Sequence, residues 1–262
     1  MHLLGIDTAT RDASVALLRV SGAGDVESLA EERFGASGAS GAEILPAIDA
    51  CLARAALSPS GIDAVAVSIG PGSFTGLRVG LATARGLALG TSAVVVGVPT
   101  LEAVAHAAFG SHRLRPQGGV LCACLDARRG ELYAALFRVP SSRAAGPIEM
   151  LMREKALSAP ELRDEIEAAR RLTRGVGELV LAGDGAERHG VASLAPGPAS
   201  SLSLSILPPR AAVVGRLGAV RLRESGPDDP AALVPRYARA PEAEIKRRKA
   251  TGAGDRAIPK EP

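Results

Sequence analysis

The sequence predicts an α/β protein made of two tandem copies of one unit, each a mixed sheet covered by helices. Two observations carry that prediction. The order strand, strand, strand, helix, strand, helix, strand, helix runs once to about residue 109 and again from Val120 to Arg223. A repeated order of elements is the mark of a duplicated unit. The two openings also align without a gap at an offset of 119, where Asp7, Ala16, Leu17, Arg19 and Val20 meet Asp126, Ala135, Leu136, Arg138 and Val139. Length and composition agree: 262 residues, 47% hydrophobic and 23% charged, suit one large domain or two small ones with a real core.

In the first copy, residues 2–7 read as a short buried strand, 8–13 as a turn and 14–20 as a second strand, with a third at 31–34. Residues 43–57 carry helical apolar spacing, with Ile44, Ile48, Cys51, Leu52 and Ala55 on one face. A strand at 64–69, a loop at 70–76 and a helix at 77–89 follow, then a strand at 93–98 and a helix at 100–109 that Thr100 can cap. In the second copy, strands are expected at 121–125 (ending in Asp126), 131–139 and 149–153, and a charged amphipathic helix at 158–172. Strands at 178–182 and 202–207 and a last helix at 210–223 complete it. The expected division is a first lobe over 1–105, with 208–240 as a segment that can return to complete it. The second lobe is 106–207, and 242–262 is a disordered basic tail.

Composition excludes several classes. Four Phe, two Tyr and no Trp leave almost nothing on which bases can stack, which argues against single-stranded nucleic-acid readout. Arg85 interrupts the longest apolar stretch, so no run is long enough to span a membrane. The first residues enter a strand directly, without a basic leader. Three cysteines fit buried free thiols in a reducing cytoplasm better than a disulfide set. The four histidines show no metal-ligand spacing, and no Gly-x-Ser-x-Gly elbow is present. The formal net charge of +3 sits in the tail: from Arg236 onward there are eight Lys/Arg against four Asp/Glu, which leaves the body near neutral. The cluster Lys246, Arg247, Arg248 and Lys249 reads either as a solvated tail or as an auxiliary contact to a polyanion.

Three features could carry chemistry. The densest is Gly70, Pro71, Gly72, Ser73, Phe74, Thr75, Gly76, Leu77, Arg78, Val79 and Gly80, between a strand and a helix. Such a loop can hold an anion with backbone N–H groups or simply make a tight turn; it is no P-loop, because no Gly-Lys-Ser/Thr follows. Next, Gly76, Gly80 and Ala84 fall at four-residue spacing. Glycine inside a helix costs about 1 kcal/mol relative to Ala, so this small face should meet a closely approaching backbone. That backbone is either the chain's own or a helix of another protein. Finally, Asp7 with Thr8, and Asp126, close the first strand of each copy, where two-lobed ATP-dependent phosphotransferases place a metal-binding acid before a phosphate-facing turn. The first turn here lacks glycine and the second carries Arg128 and Arg129, so a degenerate phosphate site is the better description; Gly183-Asp184-Gly185 weakly resembles an adenosine-side turn.

These blocks, together with Leu125 to Tyr133 and Val234 to Arg239, resemble in order the TsaB family of bacterial tRNA threonylcarbamoyladenosine biosynthesis proteins over about residues 1–240. The resemblance implies two actin-like ATPase/RNase H-like lobes. It implies a non-catalytic scaffold subunit that docks on the catalytic protein TsaD and acts with the small ATPase TsaE. Their product is N6-threonylcarbamoyladenosine at position 37 of tRNAs that read codons beginning with A. It implies no catalytic residue, cofactor or metal in this chain, and contact with tRNA only through the complex. The family's docking surface matches residues 43–57 and 77–89, here Glu43, Ile44, Ile48, Cys51, Leu77, Gly80 and Ala84. Many members carry His at the start of the first helix, where this chain has Ser40-Gly41-Ala42-Glu43. A homodimer through the same face stays open. The alternative is an ATP-dependent phosphotransferase or ATPase of the same fold.

Overall fold

A computed structural model describes residues 1–35, 40–110, 118–142, 146–173, 178–191, 202–205, 211–236 and 238, with backbone alone at 40 and 202–205. Strands β1 (His2–Asp7), β2 (Ala13–Val20) and β3 (Val26–Phe34) form an antiparallel meander, and β4 (Ala64–Ser68) and β5 (Val94–Val98) add parallel to β1. The sheet order is β3-β2-β1-β4-β5. The second sheet repeats it with β6 (Gly119–Arg128), β7 (Glu131–Val139), β8 (Glu149–Ser158), β9 (Glu178–Ala182) and β10 (Leu202–Ser205), in the order β8-β7-β6-β9-β10. The duplication read from the sequence is therefore present in strand order and in the sense of every pairing.

The helices stack the sheets into five layers. On the outer face of the first sheet, α1 (Ser40–Arg54) and α2 (Phe74–Thr91) bury Ile44, Ile48, Cys51, Leu52, Leu81 and Ala84 against Leu4, Ile6, Val15 and Val67. Between the sheets lie α3 (Thr100–Gly110) and the last helix, α6 (Ala211–Ser225). Leu101, Val104 and Ala108 of α3 pack on Leu121, Ala123 and Phe137 of the second sheet. Val214 and Leu217 of α6 pack on Leu3, Leu18 and Val96 of the first. On the far side, α4 (Ala159–Leu172) covers Val120, Cys122 and Cys124 with Leu162 and Ile166. A one-turn helix, α5 (Gly185–Arg188), follows β9. Each inner helix therefore serves the sheet of the other half of the sequence or returns to its own from far away, and a division after residue 105 falls inside α3.

Local chemistry sets the element ends. Ser158 caps α4 and forms a capping box with Glu161, whose carboxyl is held below its ordinary value by the Ser158 hydroxyl and backbone N–H. Ser73 accepts from the N–H of Gly76 and starts α2 at Phe74, so Phe74, Thr75 and Gly76 are the first turn of the helix rather than the end of a loop. The third strand begins at Val26 and β8 runs to Ser158, both longer than expected, because neighbouring strands pair with their polar residues. Thr100 does not cap its own helix: its Oγ1 accepts from Gly70 N–H at 3.0 Å and its N–H donates to Gly70 O at 2.8 Å. The expected tail lies outside the described residues, as does the end of the strand expected at 202–207.

Candidate functional site

The first lobe brings Asp7, Thr8 and the Gly70–Gly80 block together at the carboxyl end of β1. There β1 pairs antiparallel with β2 on one side and parallel with β4 on the other. Asp7 is fully buried. Its Oδ1 accepts from Ala9 N–H (3.1 Å) and Ser68 Oγ (2.8 Å), while Oδ2 has no hydrogen-bond partner among the described residues. Burial pushes its carboxyl up to about 7; the Ala9 and Ser68 hydrogen bonds oppose that rise and Glu31 adds to it.

The glycine block closes over this turn. Thr8 Oγ1 donates to Gly76 O at 2.7 Å, and Ser73 N–H donates to Ala9 O at 2.7 Å. A methyl group on Gly72 would overlap Ala9 O, one on Gly76 would overlap Thr8 O, and one on Gly80 would overlap Thr8 Oγ1. The close backbone demanded by the small face of α2 is thus the chain's own β1–β2 turn. Gly70, at φ 111°, begins the block with a cis bond to Pro71. Phe74, Thr75 and Arg78 stand on its outer side, the Arg78 guanidinium lying 3.9 Å from the centre of the Phe74 ring.

The second lobe places Asp126 at the equivalent point of β6. Its Oδ1 contacts His189 Nε2 at 2.9 Å and accepts from Arg128 N–H at 2.8 Å, and its Oδ2 faces Arg188 at 3.6 Å. Asp184 receives the N–H of Asp126 at 3.2 Å and faces Arg188 at 3.5 Å. Burial would raise the Asp126 carboxyl, but the hydrogen bonds from His189 and Arg128 and the charges of His189 and Arg188 outweigh it and hold the group below its ordinary value. Gly183 and Gly185 sit on the backbone of Cys124 and Leu125, so this turn too rests on the chain itself. The partnering of Asp126 by Arg188 and His189 was not read from the sequence. Its one signal is that these residues begin three positions beyond the Gly183-Asp184-Gly185 turn.

The helix residues expected at a docking surface lie mostly inside the isolated chain. Ile44, Ile48, Cys51, Leu77, Gly80 and Ala84 all lie in the first lobe's own interior. Glu43 is half-buried and accepts from Gly35 N–H at 2.6 Å. The apolar spacing that singled them out marks the side of each helix that faces its sheet. The outward side presents other residues: Leu45 is 57% exposed, Phe74 45% and Leu89 91%. Ala82, Gly86 and Gly90 are exposed, and among the described residues outside the helix nothing lies within 4 Å of a methyl group placed on Gly86 or Gly90. Among the described residues, no group of three or more His, Cys, Asp or Glu is placed to hold a metal ion. Nor is any helix long and apolar enough to cross a membrane.

Two five-stranded mixed sheets of one topology, stacked through two inner helices and each carrying an aspartate at or near the carboxyl end of its central strand, define the actin-like/RNase H-like class of two-lobed proteins. Residues 35–167 match the family described as "TsaD: tRNA N6-adenosine threonylcarbamoyltransferase". The chain belongs to this family, and within it resembles the TsaB proteins. It is 40% identical over 133 residues to the tRNA threonylcarbamoyladenosine biosynthesis protein TsaB of Haemophilus influenzae, which covers 51% of this chain and 52% of that one. It is 30% identical over 241 residues to an uncharacterized protein of Mycobacterium bovis, covering 92% and 93%. The solved structure of YeaZ from Pseudomonas aeruginosa is similar with a TM-score of 0.70 and 25% identity, over 90% of this chain and 99% of that one. The matches to TsaB of Haemophilus influenzae and Escherichia coli span about half the length of those relatives.

Proposed function

We propose that this protein is a non-catalytic scaffold subunit in the synthesis of N6-threonylcarbamoyladenosine at position 37 of tRNA. It docks on a TsaD-type catalytic subunit and works with a TsaE-type ATPase in the cytoplasm. The observation that carries this reading is the two-sidedness of α2. Its inner glycines seal the turn of Asp7 and Thr8, where a phosphate would have to approach. A methyl on either outer glycine, Gly86 or Gly90, would meet nothing beyond the helix itself among the described residues, although each glycine costs about 1 kcal/mol of helix stability. Small residues at four-residue spacing let another helix come close, and Leu45, Phe74 and Leu89 supply apolar area around them.

The phosphotransferase alternative is weakened by the same geometry, since Asp7 is closed off and Asp126 is engaged by His189 and Arg188. Titration calorimetry of the isolated chain with Mg-ATP is expected to show no heat, and a saturable signal with turnover would restore that alternative.

Reconstitution tests the scaffold reading. A TsaD–TsaE mixture is expected to form the modified adenosine far more slowly without this protein than with it, and equal rates would overturn the role. Gly86→Arg is expected to keep the fold, because the site is open, and to abolish co-purification with TsaD. Intact binding by that variant would remove the outer face of α2 from the interface.

A further inference from the structure

The segment after α6 makes contacts that neither the docking face nor the aspartate sites explain. Residues 226–236 run along the free edge of β5. Asp228 donates its N–H to Val95 O at 2.9 Å and accepts from Gly97 N–H on Oδ2 at 2.8 Å, so one residue satisfies two groups of the exposed strand edge. Arg85, on α2, donates to the carbonyls of Ala231 (3.3 Å) and Leu233 (2.6 Å). Leu233 is the one buried side chain of the stretch and fills the space that Gly97 leaves open beside Ile69. At the far end, Arg236 N–H donates to Ile69 O at 2.6 Å, and its guanidinium reaches Glu154 of β8 at 3.4 Å. The Arg236 carbonyl lies 2.5 Å from where a methyl on Gly70 would be. Gly70 is in turn held on its other side by Thr100 of α3.

One chain segment therefore touches the outer helix, the edge and end of the first sheet, and the edge strand of the second. Its attachment is light: one apolar anchor, a few hydrogen bonds and a half-exposed ion pair. Segments with few buried contacts and exposed hydrogen bonds open locally well below the global unfolding free energy.

We propose that residues 226–236 form a latch, a single locally opening unit that ties α2 to the second lobe, so that release at either end loosens the other. Arg85 holds the α2 end and Glu154 the second-lobe end. Opening frees the β5 edge and uncovers Ile69 and Gly70, the entry to the glycine block. This inference concerns the isolated chain and does not depend on the partner proposed above.

Amide hydrogen exchange on the full chain, resolved by residue, tests it. Arg85→Ala is expected to speed exchange at Gly97, Asp228 and Arg236 together, each about tenfold, while α4 amides are unchanged. Acceleration at Asp228 without Arg236 would show that the segment is not one unit and would overturn the latch. Acceleration throughout the protein would do the same, by showing global unfolding instead. The second-lobe end has its own test on the ion pair of Arg236 with the half-buried Glu154. Glu154→Arg should speed exchange at Arg236 and Gly97, and adding Arg236→Glu should restore both. Failure of that charge swap to restore them would sever the second lobe from the latch.

Discussion

Asp7 and His106 show how single buried groups tilt the pH dependence of the whole protein, in opposite directions. The Asp7 carboxyl is pushed up to about 7 from an ordinary 3.8, chiefly by burial. Between those values the unfolded chain has lost a proton that the folded chain keeps, so stability falls as pH rises through that window. A shift of this size corresponds to roughly 4 kcal/mol at neutral pH, as an upper bound. Asp7→Asn keeps the shape and removes the titration; its denaturant midpoint is expected to be flatter between pH 3.8 and about 7 than that of the parent and to lie higher at the upper end. An unchanged slope would mean that the carboxyl is not the titrating group. His106 works the other way. Burial lowers it from its ordinary 6.5, against the pull of Glu102 and with the push of Arg221. Stability it supports is present above 6.5 and is lost as pH falls through its lowered value. His106→Gln is expected to soften the acid limb of the same profile, and an acid limb as steep as the parent's would assign that loss to other groups.

At the scale of an element, α2 carries two glycine pairs that a sequence cannot tell apart. Gly76 and Gly80 are required by Thr8, a residue about seventy positions away in the chain, whereas Gly86 and Gly90 face open space. Gly80→Ala pushes a methyl into Thr8 Oγ1, which is itself held by Gly76 O, and is expected to destabilise by about 1–3 kcal/mol. Gly86→Ala meets nothing and should stabilise the isolated chain by about 0.5–1 kcal/mol through helix propensity. Thermal melts of the two variants check both signs; if both destabilise, the outer face is packed against something in the free protein. The same distinction explains what was legible beforehand. The succession of elements along the chain, the duplicated plan and the helix after Gly70 follow from local periodicity, which reports burial. The expected docking residues rest on the same signal: apolar spacing at Ile44, Ile48 and Cys51 marks the side of α1 that faces the sheet, so it reports packing and says nothing of the outer side. The His189–Asp126 contact joins residues 63 positions apart and has no local pattern at all.

Across the whole molecule, the two halves of the sequence are interlocked rather than merely joined. The first sheet has its inner face covered by α6, which arrives only after the entire second sheet has been laid down, and the second sheet is covered by α3 from the first half. The two inner helices also grip each other, Arg221 pairing with Glu102 at 2.6 Å. Without α6, Leu3, Ala16, Leu18, Ala66 and Val96 would face water, and uncovering a large aliphatic side chain costs about 1.5–3 kcal/mol. Neither lobe therefore owns a complete core, and the protein should unfold as one unit. The near absence of aromatics makes this simple to measure. With Tyr237→Phe, Tyr133 becomes the sole tyrosine and reports on the second lobe, against whose core it packs. Far-ultraviolet circular dichroism reports on both lobes at once. The two denaturation curves are expected to coincide, with one midpoint and one slope. A tyrosine transition displaced from the dichroism transition would mean that the second lobe keeps its core when α6 has left the first, and that the exchange of inner helices does not couple them.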